Sequence, residues 1–119
     1  MPGRWRGRMD LDLEARTENG WGVLAVKGEV DLYTSPQLRE ALERLVGEGA
    51  SSIAVDMTDV GFMDSSGLGV LVGVLKRVQE RGGRMALVAP REPVKKLLAI
   101  SGLDSAFIVT PSLDETIGL

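Results

Sequence analysis

Asp64-Ser65-Ser66-Gly67-Leu68-Gly69-Val70-Leu71 stands between a short apolar run and a long one with helical periodicity. The run before it, Ile53-Ala54-Val55-Asp56-Met57, has the length and composition of a buried strand. The run after it predicts a helix from Ser65 to about Arg81, with Leu68, Leu71, Val72, Leu75 and Val78 as its buried stripe. Asp64 is the N-cap in this reading. Its carboxylate accepts the N–H of residue 66 or 67 and fixes the direction in which Ser65 projects from the first turn. Gly67 is read as keeping that turn bare. Gly69 and Gly73, four residues apart, leave a flat strip on the helix.

Working outward, the same alternation of strand and helix repeats. Leu11, Leu13 and Ala15 alternate with Asp12, Glu14 and Arg16 as a half-buried strand, and Asn19-Gly20 supplies a tight hairpin turn. The return strand is expected from Trp21 to Lys27. Ser35-Pro36 reads as hydroxyl N-cap and first-position proline of a helix carrying Leu38, Ala41, Leu42, Leu45 and Val46 on one face, ended by Gly47. Gly82-Gly83 stops the Ser65 helix before a strand from Met85 to Ala89. Pro93 opens a third helix with Val94, Leu97 and Leu98, ending near Gly102. A strand over Ala106 to Val109 follows, and Ser112 with Glu115 forms a capping box for a short last helix. The order β-β-α-β-α-β-α-β-α, with crossovers long enough for right-handed connections, gives an α/β domain. Its sheet of about five strands is mostly parallel with an antiparallel N-terminal hairpin, and about four helices accompany it.

Composition narrows the chemistry. The 119 residues are one domain's worth of chain. There is no cysteine and no histidine, which removes disulfides, thiolate nucleophiles, histidine bases and the common zinc sites. The net charge is −3, although Arg4, Arg6 and Arg8 crowd the first eight residues. An acidic body with few aromatics argues against nucleic acid as a ligand. Residues 1–8 read as a disordered basic tail ahead of a single domain over 9–119, with Met9 a candidate initiator. Asp10-Leu11-Asp12-Leu13-Glu14 is no signal-peptide core. No apolar run is long enough to span a bilayer, and a cytoplasmic protein with no membrane partner is expected. Asp56, Asp59 and Asp64 have no diagnostic metal-ligand spacing, with Asp56 in a strand and the other two in the loop after it, so neither metal nor cofactor is expected.

The segment from Val55 through Asp64-Ser65-Ser66-Gly67 to Leu71 resembles the signature of the anti-sigma factor antagonists, bacterial members of the STAS domain family. Gly28-Glu29-Val30-Asp31 resembles a second family segment and Ser101-Gly102-Leu103 a third, and the likeness runs over about residues 10–117. The resemblance implies a partner-switching module in transcription regulation. The unphosphorylated protein would bind an anti-sigma factor that is also a serine kinase, and so release the sigma factor. Phosphorylation on Ser65 would end that binding, and a PP2C-like serine phosphatase would restore it. Ser66 is the weaker acceptor candidate. Glu29, Asp31, Asp64, Ser65, Ser66 and Gly67 would form the partner-binding end, with Glu29 and Asp31 as loop acids. Asp31→Ala is then expected to weaken binding with little loss of stability. The free protein is expected to be a monomer.

The residue chemistry is suited to such a switch. A phosphoryl group on Ser65 adds a charge of about −1.5 to −2 at a helix N-terminus, where the dipole favours it by about 0.3–1 kcal/mol. Two other readings remain. One keeps the fold as a non-switching STAS scaffold, or as an accessory subunit of a transport or stress-signalling complex. The other is a small nucleotide hydrolase, disfavoured because the chain has no G-x-x-x-x-G-K-[ST], no G-x-G-x-x-G and no histidine base. No catalytic residue is assigned, and the protein is read as a binding module rather than an enzyme.

Overall fold

The computed structural model describes residues 10–119, and the basic tail expected at 1–8, with Met9, lies outside the described residues. Asn19 and Gly20 have φ of 50° and 84°. Both central residues of the turn are thus left-handed, the geometry that matches the twist of a two-residue hairpin. The turn joins β1 (Asp12–Glu18) to β2 (Trp21–Val30) in antiparallel register, from Asp12 opposite Lys27 to Glu18 opposite Trp21. The chain continues through α1 (Ser35–Gly47), β3 (Ser52–Met63), α2 (Ser65–Glu80), β4 (Met85–Val88), α3 (Glu92–Ile100), β5 (Ile108–Thr110) and α4 (Leu113–Ile117). The five strands lie in the order β1-β2-β3-β4-β5, and every pair after the hairpin is parallel. The α/β architecture read from the sequence is the one observed.

The two faces of the sheet are covered unequally. On one, Leu24, Val26, Ile53, Val55, Met85 and Leu87 meet Leu42 of α1, Leu71 of α2 and Leu98 of α3 in one large cluster. Each such fully buried side chain contributes about 1.5–3 kcal/mol relative to exposure. The other face is flatter, with Trp21, Val23, Ala54, Ala86 and Val88 packed under Leu113 of α4. On α2 the buried residues include Val70 and Val74, whereas Val72, expected in the stripe, is only partly buried.

Two strands run further than the sequence suggests. β2 continues past Lys27 to Val30, and β3 past Met57 to Met63. Asp59, expected in a loop, is therefore a strand residue, and so is Glu29. The reason lies in the register. Ala25 pairs with Asp56 but Lys27 with Asp59, and Gly28 pairs with Val60 but Glu29 with Phe62. β3 gains one residue at each of these two bulges, which resets its alternation. Met57, Val60 and Met63 are buried at intervals of three, a spacing that does not read as a strand.

Candidate functional site

β2 and β3 end side by side. Glu29 pairs with Phe62 and Val30 with Met63, and the first amide after β3, that of Asp64, donates to the Val30 carbonyl at 3.1 Å. The segments Gly28-Glu29-Val30-Asp31 and Asp64-Ser65-Ser66-Gly67, more than thirty residues apart in sequence, thereby meet at one end of the sheet.

Asp64 is the N-cap of α2. Its backbone is extended, its Oδ1 accepts the Ser66 N–H at 2.8 Å, and its carbonyl accepts the Leu68 N–H at 3.1 Å. Of the two expected capping donors, residue 66 is the one used. The cap leaves Ser65 as the first helical residue and exposed, while Ser66 is half-buried. The Ser65 hydroxyl has no hydrogen-bond partner among the described residues. It stands free on a helix start whose partial positive charge favours an anion.

Gly67 differs from its expected role. It is buried, and a Cβ built on it would come 2.5 Å from Val30 Cγ1 and 2.9 Å from Met63 Cγ. The missing side chain therefore lets the first turn of α2 close onto the ends of β2 and β3, rather than opening it to solvent. The bare surface lies further along: a Cβ at Gly69 or Gly73 would meet nothing within 4 Å. Ser65, Gly69 and Gly73 follow one another at intervals of four and so form one row along the helix.

Asp31 is likewise more constrained than a free loop acid. Its Oδ1 accepts the N–H groups of Tyr33 and Thr34 at 2.9 and 3.0 Å. The Thr34 hydroxyl accepts the Asp31 N–H at 2.9 Å and donates to the Glu29 carbonyl at 2.8 Å. This closed turn displaces the start of α1, which begins at Ser35 with Thr34 in the N-cap position and Pro36 second, not at Pro36 behind a Ser35 cap. Leu32 and Tyr33, at its tip, are left in solvent. The spacing of Asp31 and Thr34 ahead of Pro36 is the turn signal that puts both residues at a tip.

Six residues were expected at this end. The structure brings together Glu29, Asp31, Asp64, Ser65, Ser66 and Gly67, with Glu29 exposed and the two aspartates half-buried. Asp56 and Asp59 belong elsewhere: Asp56 Oδ1 takes the Thr58 N–H at 3.1 Å, and Asp59 lies 3.9 Å from Arg91. Among the described residues, no three carboxylates are grouped so as to hold a metal ion. No helix of the described residues is long and apolar enough to cross a membrane.

Known proteins share this fold. The STAS domain family model matches residues 12–116. An anti-sigma-B factor antagonist of Staphylococcus epidermidis is 35% identical over 95 residues, which are 80% of this chain and 88% of that protein. The anti-sigma factor antagonist SpoIIAA in its unphosphorylated form superposes with a TM-score of 0.77 at 28% identity, covering 90% of this chain and 92% of that one. The Bacillus cell fate determinant SpoIIAA in its phosphorylated form superposes with a TM-score of 0.71 at 27% identity, covering 91% and 96%.

Proposed function

The chain belongs to the STAS domain family, and from that premise we propose that it is an anti-sigma factor antagonist switched by phosphorylation of Ser65. In its unphosphorylated form it binds an anti-sigma factor with serine kinase activity and so releases a sigma factor. The kinase transfers a phosphoryl group to the Ser65 hydroxyl, and a PP2C-like serine phosphatase removes it. The protein acts by binding and supplies no catalytic group.

The observation that carries this reading is the state of Ser65: an exposed hydroxyl without a partner, on a helix start fixed by the Asp64 cap and by the Val30 carbonyl. A phosphoryl group placed there extends into solvent, so the fold accepts it. An interface that covers Ser65 does not. It would have to desolvate a dianion beside Asp64, and a loss of about 4 kcal/mol weakens binding about a thousandfold. Relatives named as anti-sigma factor antagonists, and a structural neighbour known in both unphosphorylated and phosphorylated forms, support the same reading.

Phosphosite mapping after incubation with ATP and extract of its own cells tests it. One phosphate on Ser65, absent from Ser65→Ala, is expected. In binding assays against the anti-sigma factor, Ser65→Ala should bind as the unphosphorylated form does and Ser65→Glu should bind weakly. Equal binding by Ser65→Glu and wild type would refute the charge gate. No phosphate at Ser65 would favour a constitutive scaffold.

A further inference from the structure

Leu32 and Tyr33 are 68% and 70% exposed, among the most exposed large apolar side chains of the described residues. An exposed leucine alone needs no explanation. What sets this pair apart is how firmly its backbone is held. The turn from Asp31 to Thr34 is closed by two N–H bonds to Asp31 Oδ1 and by the Thr34 hydroxyl, which bridges the Asp31 amide and the Glu29 carbonyl. Thr34 is itself buried. A loop that must order on binding weakens the complex by the entropy it loses, whereas this one presents its two side chains from a backbone already held in place.

Its position is equally defined. The turn starts at the residue after Val30, whose carbonyl holds the Asp64 amide, so Leu32, Tyr33 and Ser65 are all presented at the same end of the sheet. Glu29 and Asp64 lie at the same end, while the Asp31 carboxylate is engaged by the turn's own amides. A complementary surface therefore has an apolar recess with cationic side chains at its rim, the common anatomy of a protein interface.

We propose that Leu32 and Tyr33 are the apolar anchor by which the anti-sigma factor grips this protein, and that Asp31 is a positioning residue that shapes the turn rather than a charge the partner reads. The inference rests on the antagonist reading given above, and its occupant is the anti-sigma factor, not a second copy of this chain.

Calorimetric titration against each purified serine-kinase anti-sigma factor of the same organism tests it. The panel is the wild type, Tyr33→Ser, Leu32→Ser, Asp31→Ala, Asp31→Asn and Ser65→Glu, each checked for an unchanged circular dichroism spectrum. Tyr33→Ser should raise Kd about thirtyfold and Leu32→Ser about tenfold. Asp31→Ala should weaken binding about tenfold. Asp31→Asn keeps an oxygen that can accept the Tyr33 and Thr34 N–H groups, and should bind within about threefold of wild type. Wild-type affinity in both serine variants overturns the anchor, and equal losses in Asp31→Ala and Asp31→Asn overturn the positioning role. A wild-type dimer in sedimentation that Tyr33→Ser converts to monomer also overturns it, because the patch would then belong to self-association. If the wild type binds none of these kinases, the antagonist reading and the anchor fall together. If Ser65→Glu binds normally while Tyr33→Ser does not, only the phosphorylation gate fails.

Discussion

The Val30 carbonyl accepts the Asp64 amide hydrogen at 3.1 Å, which fastens the end of β2 to the cap of α2. The turn that follows Val30 and the helix that follows Asp64 consequently have fixed positions relative to each other. The acceptor hydroxyl of the proposed switch is held on rigid elements, so a change of charge at Ser65 would act on a partner directly, with no change of shape in between.

The tight seat of α2 makes Gly67→Ala a sharp test of that rigidity. The new methyl would stand 2.5 Å from Val30 Cγ1 and 2.9 Å from Met63 Cγ, inside the allowed contact distance. A loss of about 1–3 kcal/mol is expected for overpacking of this kind. In urea titrations the midpoint should fall with the slope unchanged. An unaltered midpoint would mean that α2 can lift from the sheet at no cost.

Gly69→Ala and Gly73→Ala should act in the opposite direction. Both sites are helical, exposed and free of neighbours within 4 Å, so an added methyl meets only water. Each substitution should stabilise the fold by about 0.5–1 kcal/mol through the smaller backbone entropy of the unfolded chain. A rise in Tm for both variants would show it. A fall would reveal a close approach to this strip.

Asp31→Ala should destabilise by about 1 kcal/mol, because two amide donors lose their acceptor at the entry to α1. This replaces the expectation, drawn from the sequence, that Asp31 could be removed with little effect on stability. Asp31→Asn should recover most of the loss in the same chemical denaturation assay.

Ala89→Gly should stabilise. Ala89 leaves β4 at a φ of 52°, in the left-handed region, while its N–H bonds the Thr110 carbonyl at 2.7 Å. An alanine there bears a cost of about 1–2 kcal/mol that glycine avoids, partly offset by the greater freedom of glycine in the unfolded chain. A net gain of about 0.5–1 kcal/mol, read as a higher Tm, is expected. A lower Tm would mean that the packing of the Ala89 methyl against the cluster under α4 outweighs the backbone strain.

Most of the architecture was legible in the residues because its local signals agree. Asn19-Gly20 forms the expected hairpin turn, Asp64 caps α2 through Ser66, and Ser112 accepts the Glu115 amide at the start of α4. What escaped were features that depend on a distant neighbour. Nothing near Gly67 in sequence indicates that Val30 will lie against it. Nothing in Asp59-Val60-Gly61-Phe62-Met63 suggests a strand until its pairing with β2 is known. The end where β2 and β3 stop illustrates both sides. The family resemblance pointed to its six residues, but Gly67 was expected to keep the turn bare and Asp31 to be a loop acid. The exposure of Leu32 and Tyr33 follows from a turn built by their neighbours, not from their own residue types.

The two bulges of β3 make it a measuring device. From Ala25 to Val30 the chain advances five residues on β2, while from Asp56 to Met63 it advances seven on the strand beside it. The two surplus residues act as a vernier that decides how far β3 has travelled, and with which face outward, when it hands over to α2. Deleting one residue between Thr58 and Gly61 would shift that point by about 3.3 Å and reverse the sense of the side chains at the strand end. The exposed positions of this ribbon can therefore vary in side chain more easily than the ribbon can vary in length, since the count sets, together with the Asp64 cap, whether a hydroxyl at position 65 emerges into water or turns into the core.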